Sequence, residues 1–189
     1  MKKPRHFATL AAVLLCVAAG FARGQSEGQT LRPVTRAELV GYWTELFFPA
    51  AVSSKFKLRP TVQYQCQFLR FRNDGRIDKV SLSGMRECPN DPGYLRKTLD
   101  AVPQAGDAAA HFEHRDHPNG SSLLVTRGAD QPDGHATWLL VAASGERSWN
   151  GVEIRSGDLL MFLFLDGQDN PLEPVSYLRW LRPIPQPAR

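Results

Sequence analysis

The chain has 189 residues, 23 of them basic and 19 acidic, with a net charge of +4, 42% hydrophobic residues and three cysteines. That length suits one domain with its own core and is tight for two. The positive excess lies in the first two dozen residues, where Lys2, Lys3, Arg5 and Arg23 stand without a single acid, so basic and acidic side chains balance over the rest of the chain. The usual inference from a basic pI to a nucleic-acid or anionic-membrane partner therefore fails, and no nucleic-acid partner is expected.

Met1 to Arg5 is a basic start, Phe7 to Gly20 an apolar run, and Gly20-Phe21-Ala22-Arg23-Gly24 a small-residue end. This is the order of a secretory signal peptide over residues 1–24, with Gln25 as the expected mature start. The apolar run is shorter than the ~20 residues of a membrane-spanning helix, and Val13-Leu14-Leu15 before Cys16 lacks the small residue of a lipoprotein signal. The expected location is periplasmic or secreted, and the cleaved protein is not expected to be an integral membrane protein. Cleavage removes Cys16 and leaves Cys66 and Cys88, which in an oxidising compartment predicts a disulfide worth roughly 3 kcal/mol.

Residues 25–34 read as a polar, flexible mature N-terminus. Thr35 then offers an N-cap with Glu38 three positions on, which opens a short helix through Val40 that Gly41 stops. Tyr42 to Phe48 is aromatic and β-favouring, and Pro49 to Pro60 reads as a loop. Thr61 to Ser83 has the pattern of a hairpin turned at Asn73-Asp74-Gly75. Its first arm places Val62, Tyr64, Cys66 and Phe68 on one face but Leu69 and Phe71 on the other, which predicts a β-bulge near Phe68-Leu69. In the return arm Ile77 faces opposite to Val80 and Leu82. A helix from Tyr94 to Ala101 sits in an otherwise loop-like stretch. Strands follow at 110–115, 121–127, 136–143, 159–165 and 175–181, separated by turn signals at Pro118-Asn119-Gly120, Pro132-Asp133-Gly134 and Gly157-Asp158. Short strands at hairpin spacing with little helix predict a mainly β fold, a single antiparallel β-barrel of about eight strands over 35–183, with a C-terminal tail at 184–189.

Leu39-Val40-Gly41-Tyr42-Trp43-Thr44-Glu45-Leu46 resembles the opening of lipocalins, where a short helix leads into Gly-X-Trp at the start of the first strand. The resemblance covers the two ends of the mature chain and its length; the family's Thr-Asp-Tyr-like middle turn and C-terminal helix have no counterpart. It implies that Trp43 closes the barrel floor and that an arginine of the last strand, Arg182 in preference to Arg179, lies across its indole. It also implies a barrel that binds a small hydrophobic or amphipathic molecule without covalent chemistry.

If parity holds, Tyr64, Phe68, Trp138 and Phe162 point inward and line a ligand cavity, although a barrel of this size either fills with side chains or holds one ligand. Leu159 to Leu165 is apolar on both faces. One face is expected to meet the interior, and the other to be covered by the N-terminal helix, by a protein partner or by a second copy of the chain. His111, His114 and His117 form the one local cluster of metal-capable side chains, but on a strand His114 faces away from the other two, so no metal site and no cofactor are expected. No nucleophile elbow, phosphate loop or dinucleotide fingerprint is present, and the chain reads as non-catalytic; the alternatives are an extracytoplasmic accessory protein that docks on a partner through Leu159 to Leu165, and a metal-dependent activity at His111, His114 and His117.

Overall fold

The computed structural model describes residues 31–55, 65–85, 87–103, 110–116, 122–128, 135–149, 151–165 and 178–186. The expected signal peptide, Tyr64, His117 and the start of the expected last strand lie outside the described residues.

Thr35 caps helix α1 (Arg36–Leu39) through a capping box: its side chain accepts from the Glu38 amide while the Glu38 carboxylate accepts from the Thr35 amide. Strand β1 (Leu31–Arg32) precedes it and β2 (Gly41–Leu46) follows. A second helix, α2 (Ala50–Lys55), occupies a stretch expected to be loop. Strands β3 (Gln65–Phe71) and β4 (Arg76–Ser83) form the predicted hairpin. In its turn Gly75 has φ +87° and a Cβ there would stand 3.2 Å from the Phe112 carbonyl, so both backbone and space require glycine. Helix α3 (Pro92–Asp100) begins where the Asp91 carboxylate accepts from the Tyr94 amide and Pro92 needs no donor. Then come β5 (Ala110–Asp116), β6 (Ser122–Arg127), β7 (Ala136–Ala143), the small hairpin of β8 (Arg147–Trp149) and β9 (Val152–Ile154), β10 (Leu159–Leu165) and β11 (Leu178–Pro183).

Eight of these strands close an antiparallel barrel in the order β7-β10-β11-β2-β3-β4-β5-β6 and back to β7. The fold class expected from the sequence is thus the one observed. The β8–β9 hairpin and helix α2 are less visible in the pattern: two three-residue strands and a helix of six residues carry little periodicity.

Over β3, β7, β10 and β11 the barrel wall is buried on both sides. Inside, Trp43, Leu69, Phe71, Phe112, Leu124 and Leu140 join residues from β10 and β11 in one cluster, which Val34 and Leu39 cap at one end. Outside, Leu139, Leu160, Phe162, Leu178 and Trp180 pack under Val52 of α2 and under Val152 and Ile154 of the small hairpin. A third cluster places Cys66 and Phe68 under Leu95 and Leu99 of α3 and Ile184 of the tail.

This two-sided burial corrects three expectations. The β3–β4 register runs without interruption from Gln65↔Ser83 to Phe71↔Ile77, so the bulge expected at Phe68-Leu69 is absent. Both faces of β3 are apolar because α3 covers the outer one, and no fault in the pleat is needed. The irregularity that does occur lies in β10, between Leu163 and Leu165. Secondly, Phe68 and Phe162 face outward into the covered outer clusters, not into the barrel. Thirdly, the outward side of β10 is covered by α2 and the small hairpin in place of α1. Leu159 to Phe162 are all buried within the chain, which leaves that part of the strand without surface to offer a partner or a second copy.

The Cys66–Cys88 disulfide is formed and ties the segment before α3 to β3. It fits an oxidising compartment. No helix among the described residues is long and apolar enough to cross a membrane.

Candidate functional site

One end of the barrel is closed by the N-terminal segment. The Trp43 indole N–H donates to the Leu39 carbonyl at 2.9 Å, which joins α1 to the inner wall. Val34 is clasped from the other side: its amide donates to the Ser122 hydroxyl, and its carbonyl accepts from that hydroxyl at 2.8 Å and from the His114 ring N–H at 2.6 Å. Arg36 stacks over Phe112 and donates to the Asn73 carbonyl. These bonds leave few polar groups at this end unfilled.

Further along the inner face the chemistry changes. Glu45 follows Trp43 at the next inward position of β2 and is only 3% exposed. Leu181 of β11 stands opposite Glu45, and Arg179, the inward residue before it, lies over the face of Trp138 at 5.4 Å. The Arg179 Nε and the Glu45 Oε1 are 3.6 Å apart, an ion pair too long to be a hydrogen bond. Arg179 Nε and Glu45 Oε2 are both buried with no hydrogen-bond partner. Burial pushes the Glu45 carboxyl above the usual carboxylate range, against the pull of Arg179 and, more weakly, of Lys79. Buried Gln67 shares the inner face of β3 with Leu69, and exposed Lys79 shares that of β4 with Ile77. The Trp138 indole N–H donates to the Thr126 hydroxyl at 3.0 Å.

Of the four residues expected to line a cavity, the structure brings only Trp138 into this interior; Phe68 and Phe162 are outside it, and Tyr64 lies beyond the described residues. Glu45 and Arg179 were not singled out as a pair. Their signal was present, since each is a charge two residues from an inward apolar residue, but the parity of a single strand does not say which face is inside.

The arginine stack on Trp43 is also corrected. Arg182 lies over Trp180 at 5.3 Å and donates from Nε and Nη2 to the two oxygens of Asp158, at 2.9 and 2.8 Å. Register explains it: Trp43 points inward, while Arg182 sits opposite Thr44 and next to inward Leu181, so it must point outward. His111 is exposed and His114 is committed to Val34; no group of three metal-capable side chains occurs among the described residues.

No family model, curated protein or solved structure matches this chain. The closed eight-stranded antiparallel barrel is compatible with a lipocalin-like fold and with a ligand-binding barrel. Outside the wall, a groove of about 320 Å³ runs along Val40 to Tyr42 and Arg70 to Asp74. Its arginines are already engaged, Arg70 by Asp100 and Arg72 by Asp78, each at 2.6 Å. The Tyr42 ring there is flanked by Arg70 and Arg96 and its hydroxyl donates to Asp100, so this patch serves to hold α3 on the barrel.

Proposed function

We propose that the protein is an exported, lipocalin-like barrel that binds one small hydrophobic or amphipathic molecule in its interior and performs no covalent chemistry on it. The observation that carries this reading is the closed eight-stranded antiparallel barrel, an architecture that either fills with side chains or holds one small ligand. Half-buried Ala136 and Leu163 next to Trp138 supply apolar surface for the body of that molecule. Export follows from the leader-like residues 1–24, and the Cys66–Cys88 bond agrees with a periplasmic or secreted location.

Native mass spectrometry of the exported protein, followed by organic extraction, tests this reading. The expected result is a retained small molecule at one per chain. A chain that exports and folds but carries nothing, and that takes up no apolar probe on incubation, is a filled barrel and the reading fails.

A further inference from the structure

We propose that the Cys66–Cys88 bond is a redox latch on α3: a dithiol reductant opens it by attack at Cys88, which frees the leading end of the helix while its trailing end stays on the barrel. The device lies on the outer wall and works whether or not the interior holds a ligand.

The two ends of α3 are fastened differently. From Leu95 onward the helix is held at several points: Leu95 and Leu99 are buried in one cluster with Cys66 and Phe68, and Arg96 donates to the Ile184 and Pro185 carbonyls at 2.7 and 2.9 Å. Asp100 accepts from the Tyr42 hydroxyl at 2.7 Å and from Arg70 at 2.6 Å. At the leading end the Asp91 carboxylate is spent on the helix's own Tyr94 amide. The described residues of 85–94 are exposed or half-buried, and none of them has a hydrogen bond or ion pair to the wall. The disulfide alone ties this end down. It does not hold the barrel: Cys66 stands opposite Leu82 in a hairpin paired from Gln65↔Ser83 to Phe71↔Ile77, and that register needs no cross-link.

The two halves of the bond also differ in access. Cys66 is 3% exposed, whereas Cys88 and its neighbour Glu87 are exposed. Apolar surroundings make Cys66 the poorer leaving group and slow the exchange, but a sulfur that cannot be approached does not react at all, so access decides. A reductant thiolate bonds to Cys88 Sγ, the Cys66–Cys88 bond breaks, and its electron pair leaves on Cys66 Sγ. The second thiol of the reductant then closes a disulfide within the reductant and releases Cys88. Two protons pass through solvent from the reductant to the two cysteines. The freed end carries residues 85–94 off the wall, and Cys66 with half-buried Leu82 opposite it gains access to solvent.

The test treats the folded, disulfide-bonded protein with the monothiol 2-mercaptoethanol, quenches it in acid and labels free thiols with a maleimide. Mass spectrometry is expected to find the mercaptoethanol adduct on Cys88 and the maleimide on Cys66, at least about tenfold over the reverse pattern. Protein reduced with dithiothreitol is then labelled under native conditions. Cys88 is expected to react at once, and Cys66 more slowly, at a rate that changes less than about twofold up to about 1 M urea, as local opening requires. The Cys88→Ser variant, in which the latch is permanently open, is expected to give Cys66 the same rate. Failure of the monothiol to cleave the bond, adducts on Cys66, or a Cys66 that never labels in the reduced protein overturns the proposal. So does a Cys66 rate that climbs on the order of tenfold per molar urea, the slope of global unfolding. Reduced protein that unfolds outright overturns it as well, because the whole barrel would then depend on the bond.

Discussion

Strand β11 presents an arginine to each side of the barrel wall, and each arginine meets a carboxylate and an indole. Outside, Asp158 is fully buried and every bond is made: it accepts twice from Arg182, once from the Trp180 indole N–H at 2.9 Å and once from the Arg155 amide at 2.9 Å. Arg182 also reaches the Glu153 carbonyl, so the group pins the small hairpin to the start of β10. Inside, Glu45, Arg179 and Trp138 repeat the same residue types with a loose ion pair and unfilled hydrogen-bonding atoms. The chemistry is alike and the difference is completeness. A closed set of bonds rigidifies a fold, whereas buried groups left without partners in the same low-dielectric surroundings cost stability.

That contrast can be broken most directly at the outer group. Asp158→Ala leaves the Arg182 guanidinium and the Trp180 N–H without their acceptor, and is expected to cost ~3–5 kcal/mol in urea unfolding; a loss below 1 kcal/mol would place the outer group on a par with the inner one. Next in size, Cys66→Ser is expected to lower stability by about 3 kcal/mol under oxidising conditions and to match the wild type in reductant. Identical stability of the two proteins without reductant would show that the α3 clamp does not depend on the bond. At the closed end, Thr35→Ala removes the cap of α1 and should cost about 1 kcal/mol, seen as a lower thermal midpoint.

The smallest effect is expected inside. Glu45→Gln should leave unliganded stability at neutral pH within about 1 kcal/mol of the wild type, because the bonds it would break are not made. Its pH dependence carries the sharper signature. A raised carboxyl binds its proton more tightly in the folded than in the unfolded chain, so the Glu45 contribution improves as pH falls through its raised value toward the ordinary one. Glu38 has the opposite sign: Arg32 and the Thr35 cap hold it down to about 2, and its contribution, present above the ordinary carboxylate value, is lost as pH falls toward 2. A stability difference between wild type and Glu45→Gln that stays flat from neutral pH down to about 4 would deny the buried, underbonded state of Glu45.

Much of the architecture was legible along the chain. The Thr35–Glu38 spacing located α1, Asn73-Asp74-Gly75 located a hairpin, and the strand at Ala136–Ala143 matches its expected bounds. The errors share one cause. Strands β3 and β10 carry apolar residues on both faces, and alternation tells which residues share a face but not whether that face looks into the barrel or under a covering helix. Alternation alone therefore puts Phe68 and Phe162 inside and asks for a bulge in β3, where the structure supplies an outer cover instead. The same ambiguity hid Glu45 and Arg179, since a charge on a strand reads as solvent-facing until the wall is closed.

Two cysteines beyond residue 24, short alternating segments and turn residues are local or compositional properties, and by themselves they determined an antiparallel barrel with one disulfide. Which face is inner, which helix covers which strand, and that Arg182 meets Asp158 while Arg179 meets Glu45 were decided only by the tertiary structure. Those pairings depend on the register of β11 against β2 and β10 and on closure of the sheet, and such long-range geometry is set by packing the whole wall at once and not by any segment alone.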